Sequence, residues 1–309
     1  MRLLRLAILL LASVMTVVPA RPTGDNPPGF VTITHESQAL GSDQTYMAYV
    51  PKDAAPGERF PVLYVLHGAY GGYEDWPKGT SVSGYAGDYR MILIFPDGGE
   101  FGWYVDSPIK PGHQYATYVA KELVADVDSR FPTIAGPGGR AIMGLSMGGH
   151  GAFLLSLQNP GTFGSASSTS GILKLTNHAG KWSIPDALGP YDEHSDRWAA
   201  HSVYDRAGDL AALGIPLYFD CGTSDTATGA ITDNRMLHER LTEMGVPHVW
   251  REHAGGHSWD YWGARLREHM DFHASRMVDR MPGLTQKRRA ELLAYRALFT
   301  QYARQTIEK

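Results

Sequence analysis

The stretch "GLSMGGHGAF", Gly144 to Phe153, sets one serine among glycines where a strand gives way to a helix. Upstream, "GPGGRAIMGLS" is a short apolar run that predicts a strand. Downstream, Phe153, Leu154 and Leu157 fall on one side of a helix that Pro160 ends. Ser146 therefore stands at the corner, flanked by Gly144 and Gly148 as G-x-S-x-G, the pattern of a nucleophile elbow. Such a corner crowds strand against helix, so the positions two before and two after the serine tolerate little side chain. Five-residue patterns also arise in ordinary glycine-rich turns. The rest of the chain has to separate the two readings.

Outward from the elbow, strands and helices alternate. "FVTITHE" and "QTYMAYVP" open the fold; "FPVLYVLHG" and "RMILIFPDGG" follow as nearly continuous apolar runs ending in glycine. Strands of that kind belong to a sheet covered on both faces. "HQYATYVAKELVADVDSRFP" predicts a helix whose stripe is Tyr115, Tyr118, Leu123, Val124 and Val127. After the elbow come the strands "FGSASSTSG", "IPLYFDCG" and "PHVWREH". "TDNRMLHERLTEMG" and "WDYWGARLREHMDFHASRM" read as the helices that accompany the last two. The pattern predicts an α/β fold: one mostly parallel central sheet with helices on both faces. Residues 172–210 interrupt it with a long stretch carrying two tryptophans and two tyrosines, a lid-like insertion. Beyond Met277, Leu292, Tyr295, Phe299 and Tyr302 give a final helix an apolar face that docks on the body.

The 309 residues are 43% apolar and 19% charged, enough for one large domain of ordinary globular composition. A formal charge of −4 gives no reason to expect nucleic acid or an anionic membrane as partner. At the amino terminus, Arg2 and Arg5 precede an apolar run from Leu6 to Val18 that ends at Val18-Pro19-Ala20. The run is short for a spanning helix and has no basic stop after it, so residues 1–20 read as a cleaved export signal. An uncleaved anchor is the alternative. Residues 21–29 are then a flexible lead-in, 30–276 the domain and 277–309 a helical extension. Cys221, the only cysteine, excludes an internal disulfide; its place in an apolar strand marks a buried, inert thiol.

A serine hydroxyl needs a base, an orienter for that base, and donors for the oxyanion. On an elbow architecture the partners follow in the order serine, acid, histidine, each from a loop after a strand. "EHAGGHSWDYW" offers His253 and His257; His257 follows two glycines in a loop free to present it. "FDCGTSDTATG" offers Asp220 within the strand and Asp225 in the loop beyond, and Asp225 is the better acid. Asp220 would instead hold that loop by accepting backbone N–H bonds. The oxyanion donors expected are the amides of Met147, directly after the serine, and of Ala69 in "HGAYGGYEDW". Elbow, glycine loop, acid and histidine occur in order, each after a predicted strand, which selects the elbow over the chance turn.

The segments "VLYVLHGAYGGYEDW", "FPDGGEFGWYVDSP", "GLSMGGHGAF" and "DCGTSD…HAGGHSWDYW" together resemble the esterase D-like group of α/β-hydrolases. That group includes bacterial tributyrin esterases, S-formylglutathione hydrolases, feruloyl and acetylxylan esterases, and the related antigen 85 mycolyltransferases. The resemblance spans about residues 30–275. It implies the α/β-hydrolase fold, Ser146, Asp225 and His257 as triad, Ala69 and Met147 at the oxyanion hole, and no metal or organic cofactor.

Trp103, Tyr104 and Asp106, in the loop after a core strand, are candidates to line the cleft, where aromatics suit a sugar ring or aryl acyl group. Packing is the equal alternative. Trp182 and Trp198 in the insertion are similar candidates. The expectation is an exported serine carboxylesterase acting on a small-molecule or carbohydrate-linked ester, of short-chain or aryl type, with no membrane contact after signal cleavage. An antigen 85-type acyltransferase would use the same triad. A non-catalytic binding protein on a hydrolase scaffold is disfavoured by the intact triad. Oligomeric state has no signal in the sequence.

Overall fold

A computed structural model describes residues 26–308 apart from 282. Residues 1–20, read from the sequence as an export signal, and most of the expected lead-in lie outside the described residues. The sheet has eight strands in the order β1-β2-β4-β3-β5-β6-β7-β8. β1 (Phe30–Ser37) and β2 (Ser42–Tyr49) form an antiparallel pair, and β2 runs antiparallel to β4 (Ile92–Pro96). From there all neighbours are parallel: β3 (Val62–Leu66), β5 (Arg140–Leu145), β6 (Ala166–Thr169), β7 (Leu217–Gly222) and β8 (Val249–His253). The sheet is mostly parallel, as its unbroken apolar runs predict.

Why those runs do not alternate follows from the two cores they feed. Val62, Tyr64 and Leu66 of β3 enter one cluster and Leu63 and Val65 the other. Both faces of the strand are dry, so every position is apolar. On the first face lie α1 (residues 115–130), α2 (Met147–Gln158) and α3 (Ala230–Glu243), through Leu123, Val127, Phe153, Leu154, Leu237 and Leu241. On the second lies α4 (Trp259–Met277), through Tyr261, Trp262, Leu266 and Met270. Within α1, residues Tyr118–Leu123 form a π-helical segment. The five-residue step between buried Tyr118 and Leu123 suits that wider turn, which keeps both on the core face.

α5 (Gln286–Gln305) docks as its apolar face predicts: Leu292 and Phe299 are buried, and Phe299 packs with Tyr218, Val249 and Phe272. The insertion, read as a loop, contains short helices: Ile184–Leu188, Ser195–His201 and Ala207–Ala212. Buried Asp233 of α3 holds its first part, accepting from the Lys174 amide, the Asn177 side chain and His178 Nε2, the last at 2.8 Å. None of the described helices is long and apolar enough to cross a membrane.

Candidate active site

Ser146 occupies the corner between β5 and α2 with φ at 51°, the left-handed region that a side-chain-bearing residue rarely adopts. The strain is held by surrounding bonds: the Ser146 amide donates to the Thr169 carbonyl at 3.1 Å, and its carbonyl accepts from His150 and Ile172. The flanking glycines are obligatory for space. A Cβ on Gly144 would lie 2.3 Å from the Gly148 carbonyl oxygen, and one on Gly148 would lie 2.5 Å from that of His67.

Three loops at the carboxyl ends of the strands then converge. Ser146 Oγ lies 3.0 Å from His257 Nε2, and His257 Nδ1 lies 2.8 Å from Asp225 Oδ2. The Nδ1 proton donates to the carboxylate, which leaves Nε2 to accept the serine proton. Asp225 is buried, whereas the His257 side chain is 23% exposed, facing the cleft. Burial pushes the Asp225 carboxyl up; the hydrogen bond and charge of His257, with hydrogen bonds from Thr228 and Ser170, outweigh it and hold the group below the usual carboxylate range. Cys221 lies beneath, its Sγ 3.8 Å from Asp225 Oδ2, and burial foremost pushes its thiol pKa far up, as for an inert core thiol.

Asp220 faces the opposite way. Its Oδ2 lies 3.4 Å from His269 Nε2 and 3.4 Å from the Tyr218 hydroxyl, on the α4 side of the sheet. It meets these side chains rather than the backbone amides expected of it, because successive strand residues point to opposite faces. Of the other histidines, His150 is buried with Nε2 2.7 Å from the His201 carbonyl, and His253 lies beside Arg265 and Glu268.

Met147 heads α2, where no preceding turn supplies a carbonyl for its amide and the helix dipole is positive. Ala69 lines the cleft on the facing loop. That loop comes close because Gly68 has no side chain: a Cβ there would sit 3.3 Å from Ser146 Cβ and 2.5 Å from Leu145 Cδ1. His67 anchors it, with Nδ1–H donating to the Gly68 carbonyl at 2.7 Å and Nε2 accepting from the Gly98 amide at 2.7 Å.

The cleft above Ser146 has a volume of about 640 Å³. Of the three loop residues read as lining candidates, only Trp103 reaches it. Tyr104 is fully buried behind the elbow helix, its hydroxyl donating to the His67 carbonyl at 3.1 Å. Asp106 caps α1 instead, accepting from the Thr117 amide at 2.9 Å and hydroxyl at 2.7 Å. Trp182 lines the cleft and its carbonyl accepts from Trp103 Nε1 at 2.8 Å, whereas Trp198 is buried and donates to the Gly189 carbonyl. Sequence reasoning passed over Trp259 and Trp262, which complete the aromatic wall; Trp262 meets the His257 ring edge-on at 4.9 Å between centroids. Their signal was proximity, two and five residues past His257. Asp75 and Thr228 were missed as well. Among the described residues, no group of three His, Cys, Asp or Glu side chains is placed as metal ligands.

An eight-stranded, mostly parallel sheet with an elbow serine, a histidine and an acid in that geometry defines an α/β-hydrolase. The chain belongs to the putative esterase family, whose model matches residues 37–273. An acetyl esterase from Caldicellulosiruptor saccharolyticus is 28% identical over 74% of this chain and 92% of its own length. The S-formylglutathione hydrolase of Paracoccus denitrificans is 27% identical over 79% of this chain and 92% of its own. A solved ferulic acid esterase superposes with a TM-score of 0.67 and 25% identity, covering 80% of this chain and 98% of its own. The protein is a carboxylic ester hydrolase of the serine esterase type.

Proposed function

We propose that the chain is an exported carboxylesterase that cleaves short-chain or aryl esters of uncharged alcohols through an acyl-enzyme on Ser146. The single observation that carries this is His257 bridging Ser146 Oγ and the buried Asp225 carboxylate. His257 Nε2 takes the Ser146 proton as Oγ attacks the ester carbonyl carbon. The amides of Met147 and Ala69 stabilise the resulting oxyanion. Collapse breaks the C–O bond to the alcohol, which leaves with the proton from Nε2. Water then gives its proton to Nε2, attacks the acyl-enzyme, and the acid departs as Ser146 recovers its proton. Asp225 keeps Nδ1 protonated and stabilises the imidazolium throughout.

Two features narrow the substrate. Trp103, Trp182, Trp259 and Trp262 give the cleft flat apolar walls that suit an aryl or sugar ring. Asp75 is the carboxylate among its described lining residues, and neither lysine nor arginine lines it. A leaving group bearing carboxylates, such as glutathione, would meet repulsion without a partner. Export rests on the pattern of residues 1–20 and agrees with an extracellular ester rather than a cytoplasmic thioester. The test is a comparison of kcat/KM on acetate, butyrate, octanoate and feruloyl esters and on S-formylglutathione, with product analysis in added alcohol. Dominant S-formylglutathione turnover would overturn the substrate reading, and dominant acyl transfer would overturn the hydrolytic one.

A further inference from the structure

A second cavity, of about 330 Å³, opens at the far end of the sheet, where β7 begins rather than where the triad loops leave it. Leu210, Ile215, Leu217 and Val246 make an aliphatic wall. Its polar end is Arg276, from the last turn of α4, with Thr300 and Arg304 from α5. No carboxylate is among the described residues that line it.

Among the described residues, Arg276 has no counter-ion. Its Nη1 reaches the Thr300 hydroxyl at 3.4 Å and its Cζ lies 5.0 Å from the Phe272 ring centroid, while Nε is buried without a hydrogen-bond partner. The neighbouring Arg296 is paired with Asp279 at 2.9 Å, so the nearby acid is already engaged. Burial, and then the charge of Arg296, push the Arg276 guanidinium down to about 10. A partly buried cation without a counter-charge carries an uncompensated desolvation cost, which an anion in hydrogen-bonding reach offsets.

We propose that this cavity binds an amphipathic carboxylate, its aliphatic chain on the Leu210–Val246 wall and its carboxylate on Arg276, with Thr300 and Arg304 alongside. The guanidinium fork matches a carboxylate in two parallel hydrogen bonds. The volume falls within the range of small-molecule sites. Acids of this class are what a carboxylic ester hydrolase releases. All three polar groups lie after residue 273, where the family match ends, so the polar end of the site lies outside the matched esterase body while its aliphatic wall lies within it. The ligand bridges α4 and α5 and thereby fastens α5 to the domain.

The test is calorimetric titration of the full chain with octanoate, 1-octanol and octyltrimethylammonium, beside thermal melting. Octanoate should bind at least about tenfold tighter than the other two and raise Tm. Arg276→Met, which keeps the length of the side chain, should weaken octanoate about tenfold and leave kcat/KM on p-nitrophenyl acetate unchanged. If Arg276→Met does not fold by circular dichroism, Ala303→Phe, which fills the cavity, takes its place and should abolish the binding. No octanoate binding up to about 10 mM, equal binding of all three headgroups, or affinity undiminished in the folded variant overturns the proposal. The last outcome would place octanoate elsewhere, as in the Ser146 cleft.

Discussion

Asp225 meets His257 through one carboxylate oxygen and Thr228 through the other: Oδ2 accepts the imidazole Nδ1 proton at 2.8 Å while Oδ1 accepts the Thr228 hydroxyl. With both oxygens engaged, the carboxylate cannot swing, and the imidazole is held as the tautomer whose Nε2 faces Ser146. Ser146→Ala and His257→Ala should each lower kcat/KM on p-nitrophenyl butyrate on the order of 10⁴-fold or more, and Asp225→Asn somewhat less. Asp220→Asn, on the other side of the sheet, should act on stability instead. A folded Ser146→Ala retaining more than about a tenth of wild-type activity would sink the mechanism, since residual catalysis from binding and the oxyanion hole cannot reach that level.

The glycines separate into two physical kinds, and substitution should read them with opposite sign. A Cβ on Gly144 meets the backbone of Gly148 at 2.3 Å, where nothing can yield cheaply. Gly144→Ala should therefore cost about 1–3 kcal/mol or more in urea unfolding. Gly208, within the Ala207–Ala212 helix, has open space around its Cβ position and a φ that side chains accept. Gly208→Ala should stabilise by roughly 0.5–1 kcal/mol. Equal effects at the two positions would show that crowding at the elbow has been misjudged.

His150 gives stability a pH dependence of definite sign. Burial foremost pushes its imidazole down to about 4 from 6.5, so the folded chain holds it neutral where the unfolded chain protonates it. Between pH 6.5 and about 4 the unfolded state binds the extra proton, and stability falls as pH falls. The full contribution is present above pH 6.5. The unfolding free energy of His150→Gln should therefore fall less steeply with acid in that window, by up to about 1.4 kcal/mol per pH unit. Guanidinium melts of both proteins at pH 7 and pH 5 measure this, and parallel slopes would remove His150 from the account.

The elements whose chemistry depends on chain order were legible in the sequence. Ser146, Asp225 and His257 each follow a predicted strand, and a parallel sheet sends all such loops to one end. The cleft wall was much less legible, because side-chain direction in an irregular loop has no period. Trp103 and Tyr104 are neighbours, both with positive φ, yet one faces the cleft and the other packs behind α2. Asp106 looked like a binding group but is a helix cap, a role its spacing to Thr117 suggests only once the start of α1 is known. Asp75 reaches the cleft from the start of the short helix Asp75–Gly79, which follows a loop whose path is set by Gly68 against Ser146, a tertiary contact invisible in local pattern.

Trp182 tests whether the aromatic wall selects substrate or merely packs. Its side chain lines the cleft, while its contact with Trp103 Nε1 uses the backbone carbonyl, so Trp182→Ala removes the wall and leaves that hydrogen bond available. A ring stacked on the indole gains about 0.5–1.5 kcal/mol beyond burial, whereas an acetyl group is too small to span the cleft. Trp182→Ala should raise KM for a feruloyl ester by about fivefold to tenfold and change kcat little. On p-nitrophenyl acetate both constants should stay near wild type. Asp75→Lys in the same background supplies the charge control: it should improve esters with anionic leaving groups and leave neutral ones unchanged, because it converts repulsion to attraction at one wall. An equal loss on feruloyl and acetyl esters in Trp182→Ala would mean that the indole shapes the insertion rather than the substrate, and the ring-binding reading of the cleft would fall with it.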